Sequence, residues 1–328
     1  MKKIKSFASI LYFIVVIFLF QGIGVCDDTY KQITISGGTA GGAWGAVTEG
    51  LAEAFRQGIP GLMVSTTPGT DATNFMRLEK GVCELALGVA ATGLRAIKGR
   101  PPFNSKTDGI MGITALFEEP FQFVILNKTG IKTFNDILKL KYPLRHSPNK
   151  KGNFMEILCD EIFKEYGFSY DLIKSWGGNI VFNSYSQSIN LIRSGSLDSL
   201  SGCSLVPTTH FQELSGTHDI DLLSLSDDVI LKLEREFGIQ KKIIPESSYK
   251  FLNRDISTVA SRNILACDKK LPDALVYEMT KTIYEKRSYL AGIHVALKNL
   301  EPAFMASLSG IPLHPGAEKF YKEIGAIK

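Results

Sequence analysis

The stretch ITISGGTAGGAWGAVTEGLAEAF, residues 33–55, decides the fold. A short apolar run, Ile33 to Ser36, enters a turn holding Gly37, Gly38, Gly41 and Gly42. Trp44, Val47, Leu51 and Phe55 then recur at helical spacing. Strand, glycine turn and amphipathic helix form the opening unit of an α/β lobe. Two nucleotide readings of the turn fail. A P-loop needs G-x-x-x-x-G-K-[ST], and Ala43 and Trp44 stand where the lysine and hydroxyl belong; G-x-G-x-x-G fails because Thr39 and Ala40 fill the place of its second glycine. What remains is a set of backbone N–H groups at a helix N-terminus, suited to an anionic or carbonyl group, or glycines that serve only close strand-to-helix packing.

Working outward, Met63–Thr66, Glu84–Val89 and Ile110–Leu116 read as further buried strands. Between them Thr70 or Asp71 caps a helix that Gly81 stops. This grammar predicts a mainly parallel sheet with right-handed crossovers. Phe121–Asn127 alternates like a strand that leaves the first lobe. A second series follows: Tyr142–Arg145, the turn SPNKKGN, a helix Phe154–Tyr166 ended by Gly167, then Ile180–Phe182, NSYSQS, a helix ended by Gly195, and Asp221–Ser224. Ile256–Ala266 reads as a strand returning to the first lobe. The expected architecture is α/β, with lobe I over 27–122 plus 257–328, lobe II over 123–256, and a ligand cleft between them at the carboxyl ends of the strands.

Residues 1–26 open with MKKIK, run apolar from Ile10 to Phe20 and end in GIGVC, the layout of a secretory signal peptide. The apolar run is short of the ~20 residues a spanning helix needs, although an anchor extending to Val25 is an alternative. The mature chain is therefore expected outside the cytoplasm, with Cys26 a candidate for lipid attachment. Four cysteines remain, Cys83, Cys159, Cys203 and Cys267, without a C-x-x-C; buried thiols and disulfides both stay open. A formal charge of +4 without a basic block gives no support for a nucleic-acid partner.

Enzyme signatures are missing. The histidines at 146, 210, 218, 294 and 314 form no H-E-x-x-H, and Gly202–Val206 lacks the final glycine of a nucleophile elbow. His314 in PLHPG reads as a structural, hydrogen-bonded histidine. No catalytic residue, metal site or cofactor is expected.

Four stretches resemble the TAXI family, the extracytoplasmic solute receptors of TRAP transporters. They are SGGTAGGAWGAVTEGLAEAF, TTPGTDATNFMRLEKGVCELALG, GIKTFNDI and IPLHPGAEKFYKEIG, in order from residue 36 to residue 325. The resemblance implies a type II periplasmic-binding-protein fold that closes on a small solute, an organic acid or amino acid such as glutamate or a dicarboxylate. It also implies delivery to TRAP membrane permease subunits, driven by an ion gradient. Trp44, Cys83, Glu84 and the lysine-bearing turn depart from the family pattern. An ABC-type substrate-binding protein, a solute sensor feeding a membrane kinase, and an exported enzyme on the same fold stay open as alternatives.

The residues expected at the solute follow from these motifs. Gly38 and Thr39 would offer hydrogen bonds to a carboxylate, and Trp44 an apolar wall or a core contact. Thr70, Asn74 and Thr92 would come from the same lobe, with Arg95 on the surface. Ser147, Lys151, Asn153, Ser184 and Tyr185 would close from the second lobe, the lysine complementing an acidic solute. Phe121–Asn127 and Ile256–Ala266 would carry the hinge, and solute would select the closed form because only there do both lobes touch it.

Overall fold

The computed structural model describes residues 31–39 and 42–328. The leader expected over residues 1–26 and the lipid site expected at Cys26 lie outside them. Ten strands run in one hydrogen-bonded order, β2-β1-β3-β10-β4-β7-β5-β6, with β8 on β4 and β9 on β10. They are β1 Gln32–Gly37, β2 Met63–Pro68, β3 Leu85–Val89, β4 Ile110–Leu126, β5 Arg145–Ser147, β6 Asn179–Ile180, β7 Ser199–Cys203, β8 Ile220–Leu222, β9 Gln240–Ile244 and β10 Ile256–Asp268. The helices that matter for the cleft are α1 Ala43–Gly58, α2 Asp71–Glu79, α3 Ala90–Lys98, α4 Phe134–Lys139, α5 Phe154–Glu165, α6 Tyr170–Ser175 and α7 Tyr185–Arg193.

Parallel pairing of β1 with β2 and β3 builds the first lobe, and parallel pairing of β5 with β6 and β7 builds the second. Two long strands cross between the lobes. Ile110–Leu116 and Phe121–Asn127 read from sequence as separate strands, but β4 is one strand of 17 residues. Its first part pairs antiparallel with β10 as far as Pro120 opposite Ala260, and its second part pairs antiparallel with β7 from Phe121 opposite Cys203. Pro120 sits where the partner changes, a place where its missing N–H interrupts the least pairing. The sheet is therefore mixed, because both crossing strands run against their neighbours. Sequence patterning did not mark β7 or β9. The segment Ser199-Leu-Ser-Gly-Cys203 is fully buried yet polar, and Ser199 and Ser201 are bonded to the ring nitrogens of buried His146 at 2.8 and 3.1 Å.

Each lobe has its own apolar centre. Val47, Leu51 and Phe55 turn one face of α1 onto Ile33, Ile35, Leu85 and Leu265, and the helices Asp273–Glu285 and Pro315–Glu323 cover the same cluster. In the second lobe Phe121, Phe123, Phe134, Leu158 and Phe163 pack together. Each such side chain stabilises the fold by about 1.5–3 kcal/mol through burial. Trp44 is partly buried and packs against both clusters, so it bridges the lobes. The glycines that stop helices do so by left-handed geometry, with φ of +64° at Gly81, +84° at Gly167 and +75° at Gly195. Cys83, Cys159, Cys203 and Cys267 are buried free thiols. His314 caps the last helix, its Nδ1 accepting the Gly316 N–H at 3.2 Å. Among the described residues no helix is long and apolar enough to cross a membrane.

Candidate functional site

A cavity of about 230 Å³ opens between the lobes. The first lobe contributes Thr70 and Asp71 at the start of α2, and Thr92 and Arg95 from α3, which begins directly after β3. The second lobe contributes Lys150, Lys151, Gly152 and Asn153, with Phe154 and Ile157 from the start of α5. This is the crevice at the carboxyl end of a strand where open α/β sheets take ligands.

The second-lobe wall is a capping turn. Asn149 adopts φ +79°, and its Oδ1 accepts from the Lys150 N–H at 2.8 Å and from Asn153 Nδ2 at 2.9 Å. Asn153 Oδ1 accepts the Glu156 N–H at 2.9 Å and so caps α5. Glu156 Oε2 in turn accepts the Gly152 N–H at 3.0 Å. These bonds fix the turn and leave the two lysine side chains to project. Lys151 Nζ lies 5.3 Å from the centre of the Phe182 ring.

The first-lobe wall has an acid at its centre. Asp71 accepts from Thr92 Oγ1 at 2.5 Å and from the Val89 N–H at 2.8 Å. Burial outweighs both bonds and pushes its carboxyl up to about 6. Arg95 Nε donates to the Pro101 carbonyl at 2.7 Å and its guanidinium lies 5.4 Å from the Phe237 ring centre, with burial lowering its pKa. Behind this wall, Glu119 on β4 accepts from Asn263 Nδ2 at 3.0 Å. Burial, and then the charge of Asp71, pushes Glu119 up to about 7.

Four of the residues expected at the solute come together here: Thr70, Thr92, Lys151 and Asn153. The others lie elsewhere or are already engaged. Asn74 is fully buried, donating to the Gly37 carbonyl at 3.1 Å and the Leu87 carbonyl at 2.7 Å while accepting from Ser36 Oγ at 2.8 Å. It ties the glycine turn to β3, and both of its amide hydrogens are committed there. Gly38 donates its N–H to Thr48 Oγ1 at 3.2 Å, and a side chain at this position would lie 2.4 Å from Gly45 N and Trp44 Cβ. Close packing on α1 therefore governs that glycine. Thr39 is exposed on the turn, its carbonyl accepting the Gly42 N–H at 3.2 Å. Ser147 is buried under Ser188, whose hydroxyl donates to it at 2.7 Å. Ser184 begins α7 and donates to Gln187 at 2.9 Å. Tyr185 packs on Gly202, stacks on His210 and donates to the Cys203 carbonyl at 3.3 Å.

A larger cavity of about 560 Å³ is lined by Gly38, Ala43, Glu49, Thr66, Pro68 and His294 among others, all from the first lobe. The cavity of about 230 Å³, by contrast, has a wall from each lobe. Sequence reading missed Asp71 as more than a cap, and it missed Glu119 and Asn263 altogether. A carboxyl's role here depends on burial by neighbours distant in the chain, for which one sequence carries no signal.

A family model described as the NMT1-like family matches residues 35–325. The chain belongs to the NMT1-like family. Solved structures share the fold of this NMT1-like chain. PhnD1 from Prochlorococcus marinus, in complex with methylphosphonate, superposes with a TM-score of 0.54 at 12% identity, covering 90% of this chain and 99% of that one. A TctC solute binding protein from Polaromonas gives 0.54 at 14%, covering 90% and 98%. MatC from Rhodopseudomonas palustris with bound malate gives 0.51 at 11%, covering 90% and 99%. The architecture is the type II periplasmic-binding-protein fold: two α/β lobes joined by two crossing strands around a cleft. At these identities the likeness is one of fold.

Proposed function

We propose that this NMT1-like chain is an exported solute receptor of a TRAP transporter of the TAXI type. It captures a small carboxylate-bearing solute between its lobes and delivers it to membrane permease subunits. The observation that carries this reading is the cavity itself, which has one wall from each lobe and cationic side chains, Lys150, Lys151 and Arg95, among its lining. Such a site is complete only when the lobes approach, so solute binding selects the closed form, and β4 and β10 carry the hinge. The four TAXI-like stretches support the transporter type. The acids in two structures of the same fold, methylphosphonate and malate, support an acidic solute.

The test is to purify the chain from residue 27 onward under native conditions, identify any solute released on denaturation, and screen small carboxylates by thermal shift. A specific acid that raises the melting temperature, together with compaction in solution scattering, is the expected result. A solute without an acid group would overturn the carboxylate reading. Binding without compaction would overturn capture by closure.

A further inference from the structure

Besides the two crossing strands, a further segment ties the lobes together. The helix Asp227–Phe237 belongs to the second lobe, packing Val229, Ile230 and Leu233 on the same cluster as Leu158 and Phe163. Its end reaches the first lobe. Glu236 pairs with Arg100, just after α3, and the ring centre of Phe237 lies 5.4 Å from the Arg95 guanidinium. Gly238 follows with φ +65°, so close to the first lobe that a side chain there would sit 2.5 Å from the Ser309 carbonyl oxygen and 3.2 Å from Leu94 Cδ2.

β9 comes next and pairs with the first half of β10, Gln240 opposite Ala260 and Lys242 opposite Thr258. Gln240 Oε1 accepts from Arg262 Nη2 at 2.7 Å, and Lys242 Nζ donates to Glu118 Oε2 at 2.8 Å. Arg262 and Glu118 face each other just beyond Ala260 and Pro120, on the first-lobe side of the point where β4 changes partner. These contacts therefore straddle the pivot. Their first-lobe half is firmly held: Arg262 donates from Nε to Glu118 at 3.0 Å and from Nη1 to the Ser307 carbonyl at 2.6 Å, with its guanidinium 5.0 Å from the Phe304 ring centre. Burial would raise the Glu118 carboxyl, but the two cations hold it below the usual range.

The two ends of this segment act differently. Gln240 and Lys242 sit beside the pivot, where turning moves atoms least. Glu236 and Phe237 sit beside the cavity, since Arg95 lines it and Phe154, another lining residue, packs edge-on against Phe237 with ring centres 6.2 Å apart. Separating the lobes across the cavity pulls Glu236 and Phe237 away from Arg100 and Arg95.

We propose that Glu236–Lys242 is a strap that limits how far the lobes open when no solute is bound. The strap presupposes the hinge at β4 and β10 of the receptor reading and adds a non-covalent connection to it. Its outer clasp is an ion pair whose side chains are 39% and 42% exposed, weak enough to release and re-form and sensitive to salt. Its inner end, on buried Arg262, stays attached. A chain that opens less stays nearer the form that solute selects.

The test is small-angle X-ray scattering of the mature chain in low salt, stripped of any bound solute by denaturation and refolding. Glu236→Arg sets two cations against each other and should raise the radius of gyration, about 19 Å for a compact chain of this length, by roughly 1 Å with the thermal unfolding transition retained. Adding Arg100→Glu to that variant restores an opposite pair and should return the radius to the parent value. Glu236→Gln, with a smaller rise expected, serves if the reversal does not fold. An unchanged radius in the folded variant would overturn the strap. So would a rise that the swapped pair does not reverse, because it would come from a damaged helix end rather than from a lost clasp. Either failure leaves the receptor reading standing, and recovery of no solute from the native protein, which counts against that reading, leaves the strap measurable.

Discussion

The two walls of the interlobe cavity are built on opposite chemical plans. On the first-lobe side Thr70, Asp71 and Thr92 gather oxygen atoms around the end of β3, and Asp71 holds the backbone of that strand end through Val89. On the second-lobe side the turn from Ser147 to Asn153 uses its own amides and the Glu156 carboxylate of α5 for capping, leaving Lys150 and Lys151 as the groups it offers. One wall is rigid and rich in acceptors, while the other is a braced loop that presents flexible cations. Neither wall by itself complements a small charged molecule in water, where such contacts are weak. On the proposed reading, bringing them together over a solute would lower the local dielectric and make the two sets of contacts selective.

The comparison breaks most visibly at the lysines. Lys151→Glu should weaken binding of an acidic solute about a hundredfold and Lys151→Ala at least about tenfold, measured by titration calorimetry. Unchanged affinity in both would remove the second-lobe turn from the site. On the opposite wall, Asp71→Ala leaves the Val89 N–H and the Thr92 hydroxyl without their acceptor and should cost about 1–3 kcal/mol of stability in urea unfolding. A stability equal to that of the parent would mean that water replaces the carboxylate and that Asp71 does not brace β3.

Asn153→Ala tests the braced character of the second wall. Loss of the α5 cap should cost about 1 kcal/mol, and solute affinity should fall as the lysines lose their fixed turn. A fall in stability without any change in affinity would show that the turn need not be preorganised.

The smallest effect is a pH dependence with a defined sign. Burial raises Asp71 to about 6 and Glu119 to about 7, above the ordinary carboxylate range. Between those limits the native state binds more protons than the unfolded chain, so stability should fall as pH rises through that window. Glu119→Gln should flatten the decline, and the gain in melting temperature should be larger above pH 7 than below pH 5. An equal gain at both ends would mean that Glu119 does not carry the proton.

How much of this was legible depends on the range of the interaction concerned. The strand at Ile33, the helical stripe of Val47, Leu51 and Phe55, and the helix stops at Gly81, Gly167 and Gly195 express rules that act within a few residues. They came through correctly. The lysine turn and Thr92, both named from sequence, line the interlobe cavity, and each directly adjoins a strand or helix end. Asn74, named from a family-like motif as a solute contact, is buried away from the interlobe cavity with its amide bonded to Ser36, Gly37 and Leu87. The β7 segment escaped notice because its serines look like a loop; only burial against His146 makes them strand residues.

Sequence alone determined that this chain makes two α/β lobes with strand-end turns suited to a small ligand. Periodicity, caps and glycine stops are local, and they act in the same way wherever the segment sits. Tertiary structure decided that β4 continues unbroken through Pro120 and that Trp44 bridges both cores. It also decided that Glu118 meets two cations, whereas Glu119 accepts from the Asn263 amide. The physical reason is that the charge state of a carboxyl is set by desolvation and by neighbours within a few ångströms, and those neighbours come from β9 and β10, far from β4 in the chain.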